Sequence, residues 1–486
     1  MTGLRSAQGR SRKARRMELT RMTADDLSHR IATREVSAVE VMEAALERFE
    51  AVNPRFNAIV ALRDRDALLA EARAADAEAP RGWLHGIPVA VKDLANARGL
   101  PTSMGSPLFA GTMPAADDLS IGRMRAAGAI FIGKTNVPEF GLGSHTTNPV
   151  FGPTRNPYDD SRTAGGSSGG AGAALSLGMQ WVCDGSDAMG SLRNPAGWNN
   201  VYGFRPSWGL VPQEPGGDVY LHLLSTLGPM GRAPKDVAHL LDIMAGPDPR
   251  LPLALPQQPS FAARIEAPVK GRRIAWAGNW GGAYPMEPGV LETCEAALSA
   301  FADMGCEVEA VDPPFPADKL WDSWTTLRSF SVAARQEVLY ADPLKRAKLK
   351  ASSVWEIERG LAMSAMEVQR ASAIRSDWFA QAVRVFDRYD ALVLPTAQCF
   401  PFPVDWPHPT ELGGQAMDTY HRWMEVVIPA SLLGLPAFGV PAGFGPGGLP
   451  IGLQIVGPRG GDLEVLQLGQ AWHEATGWPD KRPPLA

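Results

Sequence analysis

From Gly86 onward, short apolar runs alternate with segments of helical periodicity. The first unit comprises a predicted strand over residues 87–91, a helix over residues 121–127 and a strand over residues 129–132. Because helices in such an alternation cover the faces of a sheet, the pattern predicts an α/β fold. Later strands are predicted at residues 273–277, 307–311, 391–394, 437–440 and 451–456, with helices at about 290–304 and 463–475.

Composition restricts the class of function. A chain of 486 residues, 45% of them hydrophobic, can bury a large core. The formal net charge of -5 favours neither a nucleic acid nor an anionic membrane surface as a partner. The sequence contains no run of about eighteen apolar residues that would predict a membrane span. We therefore expect a cytoplasmic protein that acts on a small molecule.

The cysteines have neither the spacing of a zinc site nor that of a disulfide framework. They are scattered along the chain at Cys183, Cys294, Cys306 and Cys399. No metal site is predicted, and the pattern is typical of an intracellular protein.

Two segments differ in composition from the rest of the chain. Residues 1–16 are rich in arginine and have no apolar stretch behind them, so we expect a disordered basic tail ahead of a single domain over residues 17–486. Residues 320–425 are predicted to be an insertion that covers one face. Six tryptophans in it could be ordinary core residues or could form the wall of an apolar substrate pocket: Trp321, Trp324, Trp355, Trp378, Trp406 and Trp423.

Residues 141–231 are dense in Gly, Ser, Asn and Pro, a composition that normally builds loops. Within them, Gly-Gly-Ser-Ser-Gly-Gly at residues 165–170 precedes an alanine-rich segment. A turn that leads into a helix N-terminus presents hydroxyl and backbone N–H groups to an anion or an oxyanion. A phosphate-binding loop is disfavoured, because Ala171 stands where a Walker sequence requires lysine.

The same residues also fit the G-x-S-x-G nucleophile elbow of an α/β-hydrolase-like esterase, with Ser168 as the nucleophile. That elbow requires a strand directly before it and a partner histidine. Residues 156–162 have the composition of a turn, and the histidines that follow lie in unrelated contexts. The residues alone leave this alternative open.

A wider set of motifs resembles the amidase signature family. The blocks occur in the family's order and extend the resemblance over about residues 20 to 476. The resemblance implies a central mixed β-sheet surrounded by helices, with the tryptophan-rich insertion as a helical cover over the active site. The blocks are GIPVAVKD at 86–93, GKTNVPEF at 133–140, the runs at 163–174 and 184–196, GFRPS at 203–207, GLP at 434–436 and LPIGLQ at 449–454.

The resemblance also implies a catalytic set of a serine nucleophile, a second serine entered by a cis peptide bond, and a lysine. Carried over by motif, these are Ser191, Ser167 and Lys92, with Ser168 steadying the loop. A serine hydroxyl is a weak nucleophile unless a base accepts its proton, so Ser167 would relay that proton to Lys92. Lys92 must then be neutral, which requires a pKa of roughly 7 to 8 instead of about 10.4.

The loop before the nucleophile departs from the family pattern. Backbone N–H groups of Ala188, Met189, Gly190 and Ser191 are implied to form the oxyanion hole. Met189 replaces a usual glycine, which predicts a narrower and more apolar acyl pocket. The motif residues Asp187 and Arg193 are expected to support the loop, with direct substrate contact by Arg193 as the alternative.

The resemblance therefore implies hydrolysis of an amide-type C–N bond through an acyl-enzyme on Ser191. Met189 and the tryptophan-rich segment favour a hydrophobic or aryl substrate, which could be an amide, an anilide, a carbamate or an ester, as in aryl acylamidases and urethanases. The family alternative is the glutamine-amidase subunit of a tRNA-dependent amidotransferase. No cofactor is implied, and a monomer or homodimer is expected.

Overall fold

The computed structural model describes residues 14–221 and 223–485. Residues 1–13 of the predicted tail lie outside these ranges. Residues 14–19 are helical, and Arg16 forms ion pairs with Glu43 and Glu47, so ordered structure begins before the predicted boundary at residue 17. None of the helices in the described ranges combines the length and the apolar character needed to cross a bilayer.

Strands and helices alternate along the chain, as the sequence predicts. The strands are β1 (Ile59–Val60), β2 (Pro88–Lys92), β3 (Ile130–Thr135), β4 (Val182–Asp187), β5 (Tyr202–Arg205), β6 (Thr226–Gly231), β7 (Arg273–Trp276), β8 (Glu307–Ala310), β9 (Ala391–Pro395), β10 (Glu411–Leu412), β11 (Gln415–Ala416), β12 (Ala437–Phe444) and β13 (Pro450–Val456). The helices are α1 (Ala24–Ala32), α2 (Ala38–Phe56), α3 (Arg65–Ala77), α4 (Leu119–Ala126), α5 (Gly169–Ser176), α6 (Arg193–Trp198), α7 (Pro234–Met244), α8 (Val290–Ala297), α9 (Ser299–Asp303), α10 (Ala317–Ala341), α11 (Pro343–Arg346), α12 (Ala351–Leu361), α13 (Ala365–Phe386), α14 (Ile428–Leu433) and α15 (Asp462–Thr476).

The central sheet has eight strands in the order β4-β6-β5-β12-β13-β9-β7-β8. It is mixed, because β7 pairs in parallel with β8 and β9 whereas the remaining neighbours pair antiparallel. A separate three-stranded sheet has the order β1-β3-β2. β2 and β4 are thus edge strands of two different sheets. The predicted α/β fold with a central mixed sheet surrounded by helices is confirmed.

The prediction that residues 141–231 form loops is wrong in part. β4, β5 and β6 all lie in this segment and build one end of the central sheet. Glycine in these strands allows close packing: a Cβ at Gly185 would lie 2.5 Å from Leu192 and 3.0 Å from Ser168 Oγ. Where a neighbouring loop packs this closely against a strand, there is no room for a β-branched side chain. The strand then lacks the residues from which strands are usually predicted.

The predicted insertion at residues 320–425 also needs correction. Its helices span residues 317–386 as α10 to α13, with α12 and α13 packed against the long helix α10. The chain then returns to the central sheet as β9, between β13 and β7. The segment is therefore a helical excursion followed by a core strand, because the fully buried run Ala391–Pro395, where the sequence predicts a strand at residues 391–394, pairs with β13 and β7.

Candidate active site

Lys92 is the last residue of the strand β2, which is buried along its whole length. It is 1% exposed. Its Nζ donates to Ser167 Oγ at 2.9 Å and to Ser168 Oγ at 2.7 Å. It also lies 3.0 Å from Ser186 Oγ. The amine therefore faces three hydroxyl groups and not solvent.

Burial lowers the pKa of Lys92 to about 7, even though the negative charges of Asp184 and Asp187 act in the opposite direction. Desolvation disfavours the ammonium form because a buried amine gives up the hydration that stabilises its charge. A lysine in this environment exchanges its proton near neutral pH. That value lies in the range that the sequence argument requires of a lysine base.

Ser167 lies on a tight turn that a neighbouring segment holds in place. The Gly166–Ser167 peptide bond is cis, and Gly165 has a positive φ of 74°. Ser144 Oγ donates to the carbonyl of Gly166 at 2.6 Å, and the N–H of Thr146 donates to the carbonyl of Gly165 at 3.0 Å. The turn therefore presents the Ser167 hydroxyl to Lys92 from a backbone that is fixed on both sides.

Ser191 follows β4 and precedes the helix α6. The N–H of Ser168 donates to the carbonyl of Ser191 at 3.3 Å, which holds the two serine-bearing loops together. Ser191 is 6% exposed and Ser167 is 2% exposed, so the site is nearly closed. Both residues belong to the described part of the chain, and no hydrogen bond joins their hydroxyl groups there.

The predicted oxyanion loop is corrected at one residue. The N–H of Gly190 donates to Asp187 Oδ1 at 2.8 Å, so this group already has an acceptor within the protein. Among the described residues, the N–H groups of Ala188, Met189 and Ser191 have no such acceptor. The Met189 side chain is buried in the main hydrophobic core. The oxyanion prediction thus narrows to Ala188, Met189 and Ser191.

Asp187 anchors the loop through two buried arginines. Its carboxylate accepts from Arg193 Nε and Nη2 at 3.0 Å each and from Arg205 Nη1 at 3.1 Å, and all three side chains are 0% exposed. Burial alone would raise the pKa of Asp187, but the two guanidinium groups hold it well below its ordinary value. This ion-pair network is stable only because every charge in it has a partner.

Arg193 has no donor left for a substrate. Besides Asp187, its guanidinium group donates to Gln454 Oε1 at 2.5 Å, to Ser431 Oγ at 2.6 Å and to the carbonyl of Val427 at 3.1 Å. A planar guanidinium has five N–H donors, and all of them are used here. The geometry agrees with the expected supporting role of Asp187 and Arg193 and contradicts the alternative of direct substrate contact by Arg193.

The nucleophile elbow of the α/β-hydrolases is absent from the stretch that includes Ser168. Residues 156–168 are all described, and no strand leads directly into Ser168, which instead precedes the helix α5. The hydroxyl of Ser168 contacts Lys92. Ser168 therefore lacks the local geometry that an exposed elbow nucleophile requires.

A cavity of about 510 Å³ is lined by Leu142, Gly143 and Ser144 together with Trp355, Tyr420 and Trp423. Ser144 is also the residue that donates to the carbonyl of Gly166 in the Ser167 turn. Two of the six tryptophans of the predicted insertion thus reach the cavity. Trp321, Trp324 and Trp378 pack into the core, whereas Trp406 is 48% exposed and is not part of the lining.

The family model for amidases matches residues 40–466, which is most of the chain. The protein belongs to the amidase signature family. As a member of this family it is a hydrolase of C–N bonds, and its similarity to amide-hydrolysing enzymes covers nearly the whole chain.

Individual relatives of this amidase differ in the activities that their names describe. It is 34% identical to an acylamidase of Rhodococcus erythropolis over 95% of this chain and 97% of that protein. It is 35% identical to a glutamyl-tRNA(Gln) amidotransferase subunit of Thermus thermophilus over 96% of this chain and 99% of that protein. The structure of a bacterial aryl acylamidase superposes with a TM-score of 0.88 at 28% identity, over 95% of this chain and 99% of that chain.

Several residues of the amidase site were not predicted from the sequence to contact the catalytic residues. Asp184 and Ser186 contact Lys92, and Ser144 supports the Ser167 turn. Arg205 and Gln454 complete the network around Asp187. The last two lie inside the motif blocks at residues 203–207 and 449–454, so the blocks carried a signal for them. Asp184 and Ser186 lie inside the block at residues 184–196, but the block does not indicate their contacts with Lys92. Ser144 lies outside the blocks, and only the fold brings it to the Ser167 turn.

Proposed function

We propose that Ser191 attacks the carbonyl carbon of an amide-type substrate while Ser167 relays its proton to neutral Lys92. The observation that carries this proposal is the 2.9 Å contact between Lys92 Nζ and Ser167 Oγ in a site that is almost closed to solvent. A hydrogen bond from Ser191 to Ser167 completes the relay when substrate binds, since catalytic contacts often tighten only in the complex.

The bonds in the two half-reactions balance without a cofactor. Ser191 Oγ forms a bond to the carbonyl carbon, and the C–N bond breaks as Lys92, through Ser167, returns the proton to the leaving nitrogen. Water then attacks the acyl carbon and gives up its proton along the same path. The ester bond to Ser191 Oγ breaks, the proton returns to Oγ, and the acid is released. In this proposal the N–H groups of Ala188, Met189 and Ser191 stabilise the oxyanion in both steps.

We also propose that the substrate is a hydrophobic or aryl amide, with anilides, carbamates and esters of the same shape as related substrates. The aromatic lining contributed by Trp355, Tyr420 and Trp423 supports this class, because flat rings pack well against aromatic walls. The similarity to an acylamidase and to an aryl acylamidase structure points in the same direction.

The purified chain is expected to hydrolyse an acetanilide-type substrate with a kcat/KM at least about tenfold higher than that for a small aliphatic amide of the same acyl group. The reason is the apolar area that the aryl ring buries, at about 25 cal/mol per Å². Steady-state kinetics on the matched pair measures the ratio. A preference for the aliphatic amide would contradict the assignment of the aromatic cavity.

The glutamine-amidase subunit of a tRNA-dependent amidotransferase is the second candidate. The observation in its favour is the 35% identity to such a subunit over almost the whole chain. Met189 counts against it, because this position is a glycine in the usual family loop. Ammonia release from glutamine that appears only when partner subunits are added would support this candidate over a stand-alone amidase.

A further inference from the structure

The lysine and the nucleophile of this amidase come from two different sheets. Lys92 ends β2, an edge strand of the three-stranded sheet, whereas Ser191 follows β4, an edge strand of the central sheet. β2 forms its backbone ladder with β3 and not with β4. The distance between base and nucleophile therefore depends on whatever joins these two edges.

Two buried side chains make that connection. Asp184 Oδ1, on β4, accepts the backbone N–H of Lys92 at 2.9 Å. Gln180 Oε1, just before β4, accepts the backbone N–H of Ala90 at 2.7 Å. The N–H groups of Ala90 and Lys92, two residues apart on the edge of β2, thus donate to side-chain oxygens. In a continuous sheet the carbonyl groups of a neighbouring strand would accept these hydrogen bonds. Gln180 is 0% exposed and Asp184 is 4% exposed.

Asp184 differs from Gln180 because it brings a charge. The charged groups around the Lys92 amine are Asp184 and Asp187 on β4, Lys134 on β3 and Asp93 next to Lys92 itself. Lys134 and Asp93 lie 3.9 Å apart, and Asp187 is also paired with two arginines. Asp184 and Asp187 both raise the pKa of the amine, and the effect of Asp184, which also interacts with Lys134, is the larger of the two.

We propose that Asp184 and Gln180 are positioning residues that hold Lys92 in register with the serine-bearing loops, and that the Asp184 carboxylate also strengthens proton binding by the amine. The inference rests on the proposed role of Lys92 as base. Both residues fix the position of the Lys92 amine. Of the two, Asp184 is the one that also affects the charge state of the amine, because Gln180 carries no charge. Neither residue contacts the reacting atoms.

The test compares pH profiles of kcat/KM for the full chain with an anilide substrate. The wild-type profile is expected to rise with pH around 7, because the neutral amine is the active form. Asp184→Asn keeps the shape and the acceptor but removes the negative charge, which lowers the pKa of Lys92. Its acid limb is expected to move to lower pH by about one unit. Gln180→Ala is expected to lower the plateau at least about tenfold with the limb in place.

Asp462→Asn is the matched control, since Asp462 is a buried carboxylate whose partner is the N–H of Ser207. Its acid limb is expected to stay at the wild-type position. An unmoved limb in Asp184→Asn would overturn the role in proton binding. A wild-type plateau in Gln180→Ala would overturn the positioning role, and this result is informative even where Asp184→Asn does not fold. Full activity in Ser191→Ala would instead refute the proposed function itself.

Discussion

Replacement of Ser191 by alanine is expected to lower kcat/KM for an amide substrate by at least about 1000-fold. The remaining contacts still bind and polarise the carbonyl group, but no covalent acyl-enzyme can form without the Oγ atom. Ser191 is nearly buried, and its hydroxyl has no hydrogen-bond partner among the described residues. The fold should therefore survive, so thermal unfolding and steady-state kinetics together separate lost chemistry from lost structure.

Ser168→Ala is the matched variant, because Ser168 also contacts Lys92 Nζ and is the nucleophile of the elbow alternative. Its loss of activity is expected to be at least about tenfold smaller than that of Ser191→Ala. The opposite order, with Ser168→Ala inactive and Ser191→Ala nearly normal, would assign the nucleophile to Ser168 and would refute the relay through Ser167.

Asp187→Ala is expected to lower the free energy of unfolding by about 3–5 kcal/mol, the usual cost of leaving a buried charge without its partner. Two guanidinium groups, those of Arg193 and Arg205, would lose the carboxylate with which both are paired. The N–H of Gly190 would also lose its acceptor, so the oxyanion loop should loosen. Denaturant unfolding measures the stability, and kinetics at a temperature where the variant is folded measures the loop.

Asp159→Ala is the control for this prediction. Asp159 pairs with Arg162 at 3.7 Å, and both side chains are exposed, at 40% and 35%. Exposed ion pairs contribute little, so the change in unfolding free energy should stay within about 1 kcal/mol. Equal losses in the two variants would show that the Asp187 network is not the source of the loop's stability.

Local sequence was sufficient wherever a single segment determines the structure. The strand that carries Lys92 could be predicted from its continuous apolar run, and burial of that run is what lowers the pKa of the lysine to about 7. The helix after the Gly-Ser turn could be predicted in the same way. The roles of Ser167 and Ser191 came from motif resemblance, since nothing in the spacing of two serines states that their loops meet.

Contacts between segments that are distant in the sequence could not be predicted. Gly185 is a residue type that favours loops, yet it lies in the strand β4. A glycine is needed there because Leu192 and Ser168 approach its backbone too closely for a side chain. The N–H of Gly190 was expected to be free, but Asp187 folds back to accept it. Asp184 lies in a motif block, but its contact with Lys92 could not be predicted, because the two residues belong to different sheets and are 92 positions apart in the chain. Such pairings depend on tertiary packing and not on local preference.

The assignment of Ser191, activated through Ser167 by Lys92, as the nucleophile can be tested by covalent labelling. A fluorophosphonate bonds to an activated serine, and peptide mapping of the labelled protein then identifies the modified residue. A single adduct on Ser191 is expected, and it should be lost in Lys92→Ala. An adduct on Ser168, or undiminished labelling of Ser191 in Lys92→Ala, would contradict the assignment.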